Sequence, residues 1–146
     1  MRADIVGFAA SVIASCLLYS DLTAAEEPLP RYGIFVYSNL CWSKQSGDAQ
    51  GFRLTLMRYG DGDHVLFDWS TGPLIQAAGK DVVFDAKTSK LSFTVYVSGA
   101  KPDSVDAEAY AGNVSSDAFT FIPYKDGRSY RVPRLYDLSR KIDICR

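Results

Sequence analysis

Apolar and polar residues alternate with a period of two through most of this chain, the pattern of strands that bury one face. The clearest case is residues 80–97. After the polar tetrapeptide Lys87, Thr88, Ser89 and Lys90, the residues Leu91, Phe93, Val95 and Val97 take one side and Ser92, Thr94 and Ser98 the other. Apolar runs on both sides of that tetrapeptide predict a β-hairpin, with Tyr96 as an aromatic ring on its polar face. Residues 51–58 place Phe52, Leu54 and Leu56 opposite Arg53, Thr55 and Met57. The Gly/Asp turn at 59–64 then leads into 64–69, where Val65, Phe67 and Trp69 point inward and Asp68 outward. A third hairpin joins 107–114 to 117–123 around Ser115 and Ser116, with Phe119 and Phe121 on its inner face and Pro123 closing the strand.

The other segments carry weaker patterns. Residues 32–40 are apolar on both faces and predict a first strand near the centre of the fold. Residues 74–78 fit a strand or a helical turn equally, and 129–132 form a last short strand. In the tail after Pro133, Leu135, Leu138 and Ile142 are spaced for one or two helical turns, whereas Ile142 and Ile144 alternate as in a strand. Gly112, in the middle of a strand, marks a bulge or a corner, and residues 98–106 form the longest loop. The sum is an all-β chain: a single small antiparallel β-barrel or sandwich of about seven to nine short strands, with a short C-terminal helical turn as an option.

The amino-terminal pattern differs. Residues 5–18 are an apolar run after Arg2, too short for a comfortable bilayer span, and they lead to the small residues Thr23, Ala24 and Ala25. This is the layout of an export signal over 1–25, followed by a mobile extended leader at 26–31 and one β domain at 32–146. Ile13 to Cys16 also matches a lipoprotein cleavage site, which would make Cys16 a lipid-bearing residue, but Leu17, Leu18 and Tyr19 continue the apolar run where such proteins turn polar. No membrane span is expected, and a periplasmic or secreted location follows.

Removing the signal leaves Cys41 and Cys145, and in an oxidising compartment an even pair predicts a disulfide. The closed loop spans nearly the whole domain, worth up to about 4 to 5 kcal/mol by chain-entropy arguments. Without the signal, basic and acidic residues balance at fifteen each, so no overall field draws the domain to nucleic acid.

Catalytic chemistry is poorly represented. His64 is the only histidine and sits in a Gly/Asp turn, where turn chemistry also accounts for Asp61 and Asp63. The chain has no phosphate loop, no serine elbow and no paired metal-ligand motif, so neither a cofactor nor a metal is expected. Contact chemistry is better represented. Tyr37, Trp42, Tyr59, Tyr96, Tyr110 and Tyr124 lie at turns or opposite the apolar stripes, and ring residues of that kind are common in binding surfaces. The carboxy-terminal segment is basic, with Arg128, Arg131 and Arg134 prominent in it. The expected function is a non-catalytic exported module that binds a protein partner or an envelope component. A barrel enclosing an apolar ligand among Phe67, Phe93 and Phe121 is the alternative, and an enzyme the third choice.

Overall fold

The computed structural model describes residues 28–96, 107–123 and 127–146. The expected signal at 1–25, Cys16, the end of the 80–97 hairpin with its following loop, and Tyr124 lie outside them. The described residues form eleven strands: β1 (Gly33–Ser38), β2 (Cys41–Trp42), β3 (Ala49–Tyr59), β4 (Gly62–Gly72), β5 (Leu74–Ala78), β6 (Lys80–Asp85), β7 (Lys90–Tyr96), β8 (Ala107–Val114), β9 (Ala118–Phe121), β10 (Tyr130–Pro133) and β11 (Asp143–Ile144). All three expected hairpins are present as β3–β4, β6–β7 and β8–β9.

Two sheets result. One has the order β11-β2-β3-β4-β5, with β1 also paired to β3; the other has the order β10-β9-β8-β7-β6. Every pairing is antiparallel except β11 with β2. Because β2 pairs with Ala49 and Gln50 and β1 with Arg53 to Arg58, these two strands lie end to end along one edge of β3. On its other side β1 is bridged at Tyr37 to Arg134, and Phe35, Val36 and Tyr37 are all buried, so this part of the strand is covered on both faces. The outward Ile34 of β1 is 53% exposed, while Val36 on the same side is covered where the Leu135 N–H donates to its carbonyl at 2.7 Å. The chain crosses between sheets at Gly79, which still donates to the Val65 carbonyl at 2.8 Å before Lys80 opens β6. A side chain there would come within 2.9 Å of the Val65 Cβ.

The carboxy-terminal tail resolves as a strand, so the helical option falls. The disulfide between Cys41 and Cys145, with Cα atoms 4.9 Å apart, holds β11 beside β2, and the Cys145 N–H donates to the Trp42 carbonyl at 2.8 Å. Pairing with β2 gives the tail backbone partners outside itself, which outweighs the weak helical spacing of three apolar residues.

The core lies between the sheets and is built from rings. Phe67 meets Tyr110 at 4.6 Å, Phe93 at 5.4 Å and Phe121 at 5.9 Å between ring centroids, and all four are buried. Tyr37 and Tyr110, expected at the surface, are core residues with 0% and 4% exposure. The burial is tolerable because each hydroxyl has an acceptor: Tyr37 donates to the Ser115 carbonyl at 2.7 Å, and Tyr110 to Glu108 at 2.9 Å. The Tyr37 bond joins the first sheet to the β8–β9 turn of the second. Asp68, expected outward, is 4% exposed and accepts from Gln76 at 2.8 Å. The expected mobile leader is docked at its end, since Leu29 enters the core and the Pro30 carbonyl accepts from Arg58 at 2.8 Å. Arg58 closes that end of the core, pairing with Asp63 at 3.0 Å and lying 4.6 Å above the Phe84 ring.

Gly112 is neither bulge nor corner, because the β7–β8 register passes through it unbroken. A Cβ there would meet the Thr120 carbonyl at 2.3 Å and the Phe119 ring at 2.9 Å, so glycine is what lets Phe119 and Phe121 stack 4.8 Å apart. The bulge lies instead between Lys80 and Val83, with Asp81 at a φ of 51°.

Two outcomes follow. Gly112→Ala, measured by urea unfolding, lowers stability by about 1 to 3 kcal/mol through overpacking. Burial raises the Tyr37 hydroxyl above its ordinary value of 10.0, only partly offset by Arg134, so the folded state holds that proton more tightly than the unfolded chain. Its contribution is then complete below about pH 10 and declines as pH rises beyond that. Tyr37→Phe costs about 1 kcal/mol at pH 7, and its unfolding free energy falls less steeply than that of the wild type between pH 10 and 11.

Candidate functional site

The outer face of the second sheet carries a concave, largely apolar surface. On β7, Leu91, Phe93 and Val95 turn into the core, which leaves Ser92, Thr94 and Tyr96 facing out. Across the ladder Ser92 pairs with Ala111, Thr94 with Ala109 and Tyr96 with Ala107, so the centre of this face has a floor of small side chains. Larger residues rise on either side. Val83, opposite Ser92 on β6, is 61% exposed, and Ile122, just after β9, is 54% exposed. Between them lies a trough of about 480 Å³, over Ser92, Ala111, Asn113 and Thr120. A second hollow of about 300 Å³ shares Ser92, Ala111 and Ile122 and extends over Thr94 and Ala109.

The bulge creates one of the two walls. With three β6 steps from Lys80 to Val83 set against two β7 steps from Thr94 to Ser92, the inward and outward positions exchange. Val82 and Phe84 then pack on the core and Val83 stands outside; without the extra residue Val82 would oppose Ser92. Asp81 and Asp85 mark the rim. The Thr88 hydroxyl, and after it the Lys87 N–H, hold the Asp85 carboxyl below its ordinary range, so it stays charged near neutral pH. The trough offers apolar contact, a few hydroxyls along the floor and a charged border, which is chemistry for recognition.

Of the residues singled out from sequence, Tyr96 lies on this face. Tyr110 lies under the floor and Tyr37 deeper still, so neither offers a contact surface. Trp42 is exposed on β2 beside Ile144, its register partner, and Tyr59 is exposed at the β3–β4 turn, 6.2 Å from the His64 ring. The basic residues make internal contacts. Arg131 pairs with Asp117, while Arg134 donates to the Ser116 carbonyl at 3.2 Å and lies 4.9 Å from both the Phe35 and Tyr136 rings. Arg128 is exposed before β10 and also has a partner. His64 faces Asp61 at 3.8 Å on the first sheet, where Asp63 is committed to Arg58. Among the described residues no three His, Cys, Asp or Glu side chains gather as a metal-holding group.

Val83 and Ile122 were not singled out from sequence. Their signals are the adjacent pair Val82–Val83 in an otherwise alternating strand, and an isoleucine directly before Pro123. No family model matches the chain, and no curated protein or solved structure matches it.

Proposed function

We propose that this chain is an exported, non-catalytic binding module, located in the periplasm or secreted, that holds a protein partner or a component of the cell envelope against the outer face of its second sheet. The single observation carrying this reading is the pair of exposed apolar walls, Val83 and Ile122, on either side of the small-residue trough. Soluble domains rarely expose aligned apolar side chains around a concavity without a contact to make. The trough runs with the strands, which suits an extended segment whose alternate side chains settle on Ser92, Ala111 and Thr94. We read the two sheets as a sandwich whose interior is full. The rings of Phe67, Phe93 and Phe121 occupy the space that an enclosed apolar ligand would need, which favours the surface-binding module over the carrier. The disulfide supports export, because such bonds persist in oxidising compartments.

A photoreactive amino acid in place of Val83, expressed in the native host, tests the site. The expected result is one dominant crosslinked species that disappears when Ile122→Glu is added. Crosslinking that survives this change, or that is equally strong from a control position at Thr55 on the first sheet, overturns the assignment. Both walls are exposed, so Val83→Glu and Ile122→Glu each change unfolding free energy by less than about 0.5 kcal/mol.

A further inference from the structure

A second feature lies at the opposite sheet, beside the disulfide. Arg53 sits in the middle of β3 on the outer face, between Ser38 and Asp68 in the ladder. Its Nε is buried, and among the described residues it has no hydrogen-bond partner and no ion pair joins Arg53 to a carboxylate. Asp68, the nearest acid by register, has turned to Gln76. A buried donor of a charged group without a protein acceptor is costly, and an ordered water or the oxygen of a bound anion is what would satisfy it.

The surroundings indicate which ion. Arg53 lines a cleft of about 310 Å³ whose other wall is the segment leading into Cys145. That wall brings Arg140, Lys141 and Arg146 to the same cleft, with Asp143 as the acidic side chain among the described lining residues. Asp143 is paired with Arg140. Three further cationic residues, Arg53, Lys141 and Arg146, line the cleft, and none of them has an ion-pair partner among the described residues. A monovalent carboxylate neutralises one of them, whereas a dianion with oxygens spread over a tetrahedron matches both the charge and the guanidinium geometry.

We propose that the cleft beside the Cys41–Cys145 disulfide is a binding site for a phosphate group, free or carried as a monoester, with Arg53 as its anchoring residue. The assignment is independent of the trough on the other sheet. The disulfide is part of the site, because it holds the segment that carries Lys141 and Arg146 against β2. A phosphate entering the cleft gives the Arg53 Nε the acceptor it lacks, while Lys141 and Arg146 close over it from the tail.

The test is calorimetric titration of the oxidised protein with inorganic phosphate, at fixed ionic strength in a chloride buffer. Glycerol phosphate and acetate are titrated in parallel. Saturable one-to-one phosphate binding is expected, at least tenfold weaker in Arg53→Met and severalfold weaker in Lys141→Ala, with acetate at least tenfold weaker than phosphate. Glycerol phosphate binding as tightly as free phosphate assigns the site to a monoester; weaker binding assigns it to the free ion. Unchanged affinity in Lys141→Ala, or in a folded Arg53→Met, overturns the proposal, as does acetate binding equal to phosphate. Phosphate binding that persists unchanged in a folded Cys41→Ser/Cys145→Ser variant also overturns it.

Discussion

The ring of Phe67 is the contact on which the two sheets depend. It projects from β4 and touches aromatic neighbours on both sides of the interior: Phe52 and Trp69 from its own sheet, Phe93, Tyr110 and Phe121 from the other. Rings of this size contribute large buried area, and their edge-to-face arrangements add directional preference that aliphatic side chains lack. The other devices of the fold keep this cluster dry. Arg58 and Leu29 close one end of the core, and the Tyr37 hydroxyl ties the β8–β9 turn to the first sheet. Gly112 gives up a side chain so that Phe119 can lie on Phe121. An interior packed this way transmits a lost or added methyl to both sheets at once, because rings in contact cannot relax independently.

The hairpins were legible because a strand with one buried face must alternate, and alternation is visible without knowing what the strand packs against. Leu91, Phe93 and Val95, or Leu54 and Leu56, needed no more than their spacing. The failures share a cause: each depended on a partner distant in sequence. Tyr37 and Tyr110 resemble surface tyrosines until an acceptor for each hydroxyl is known, and the Ser115 carbonyl lies 78 residues from Tyr37. Asp68 is read as outward, which is correct for the face it occupies, yet Gln76 and the neighbouring side chains cover it. The tail carried helical and strand spacing together because the strand that decides between them, β2, lies far away in sequence, with Cys41 and Cys145 separated by 104 residues.

The two outer faces were legible to different degrees. Parity alone put Tyr96 outside on β7, and that assignment needed no tertiary knowledge. Val83 escaped because a single extra residue in β6 reverses inside and outside, and nothing in the local pattern distinguishes a bulged Val82–Val83 pair from a strand buried on both faces. Arg53 escaped for the opposite reason. Its outward position was clear from alternation with Leu54, but an outward arginine is ordinary until the chain returns to cover it and its expected partner is found bonded elsewhere. The basic carboxy-terminal segment was visible as composition. Only the fold separates Arg131 and Arg134, taken up by Asp117 and by aromatic rings, from Lys141 and Arg146, which face the cleft.

These surfaces are built on unequal foundations. The trough lies over β7 and β8, strands whose inner faces are fixed by Phe93 and Tyr110, stacked 5.4 Å apart, so its floor has the rigidity of the core beneath it. The cleft has one wall of that kind, Arg53 on β3. Its other wall is a two-residue strand and the turn before it, where Asp137 accepts from the Ser139 N–H and Arg140 closes on Asp143. Such a segment buries little apolar surface of its own, and its ladder to β2 covers only two residue pairs. The covalent link at Cys145 therefore determines whether that wall stands against β2 or drifts into solvent. A rigid face suits recognition of a partner by shape. A wall held by one disulfide suits an ionic ligand, whose bonds to Lys141 and Arg146 add to the order of the segment that presents them.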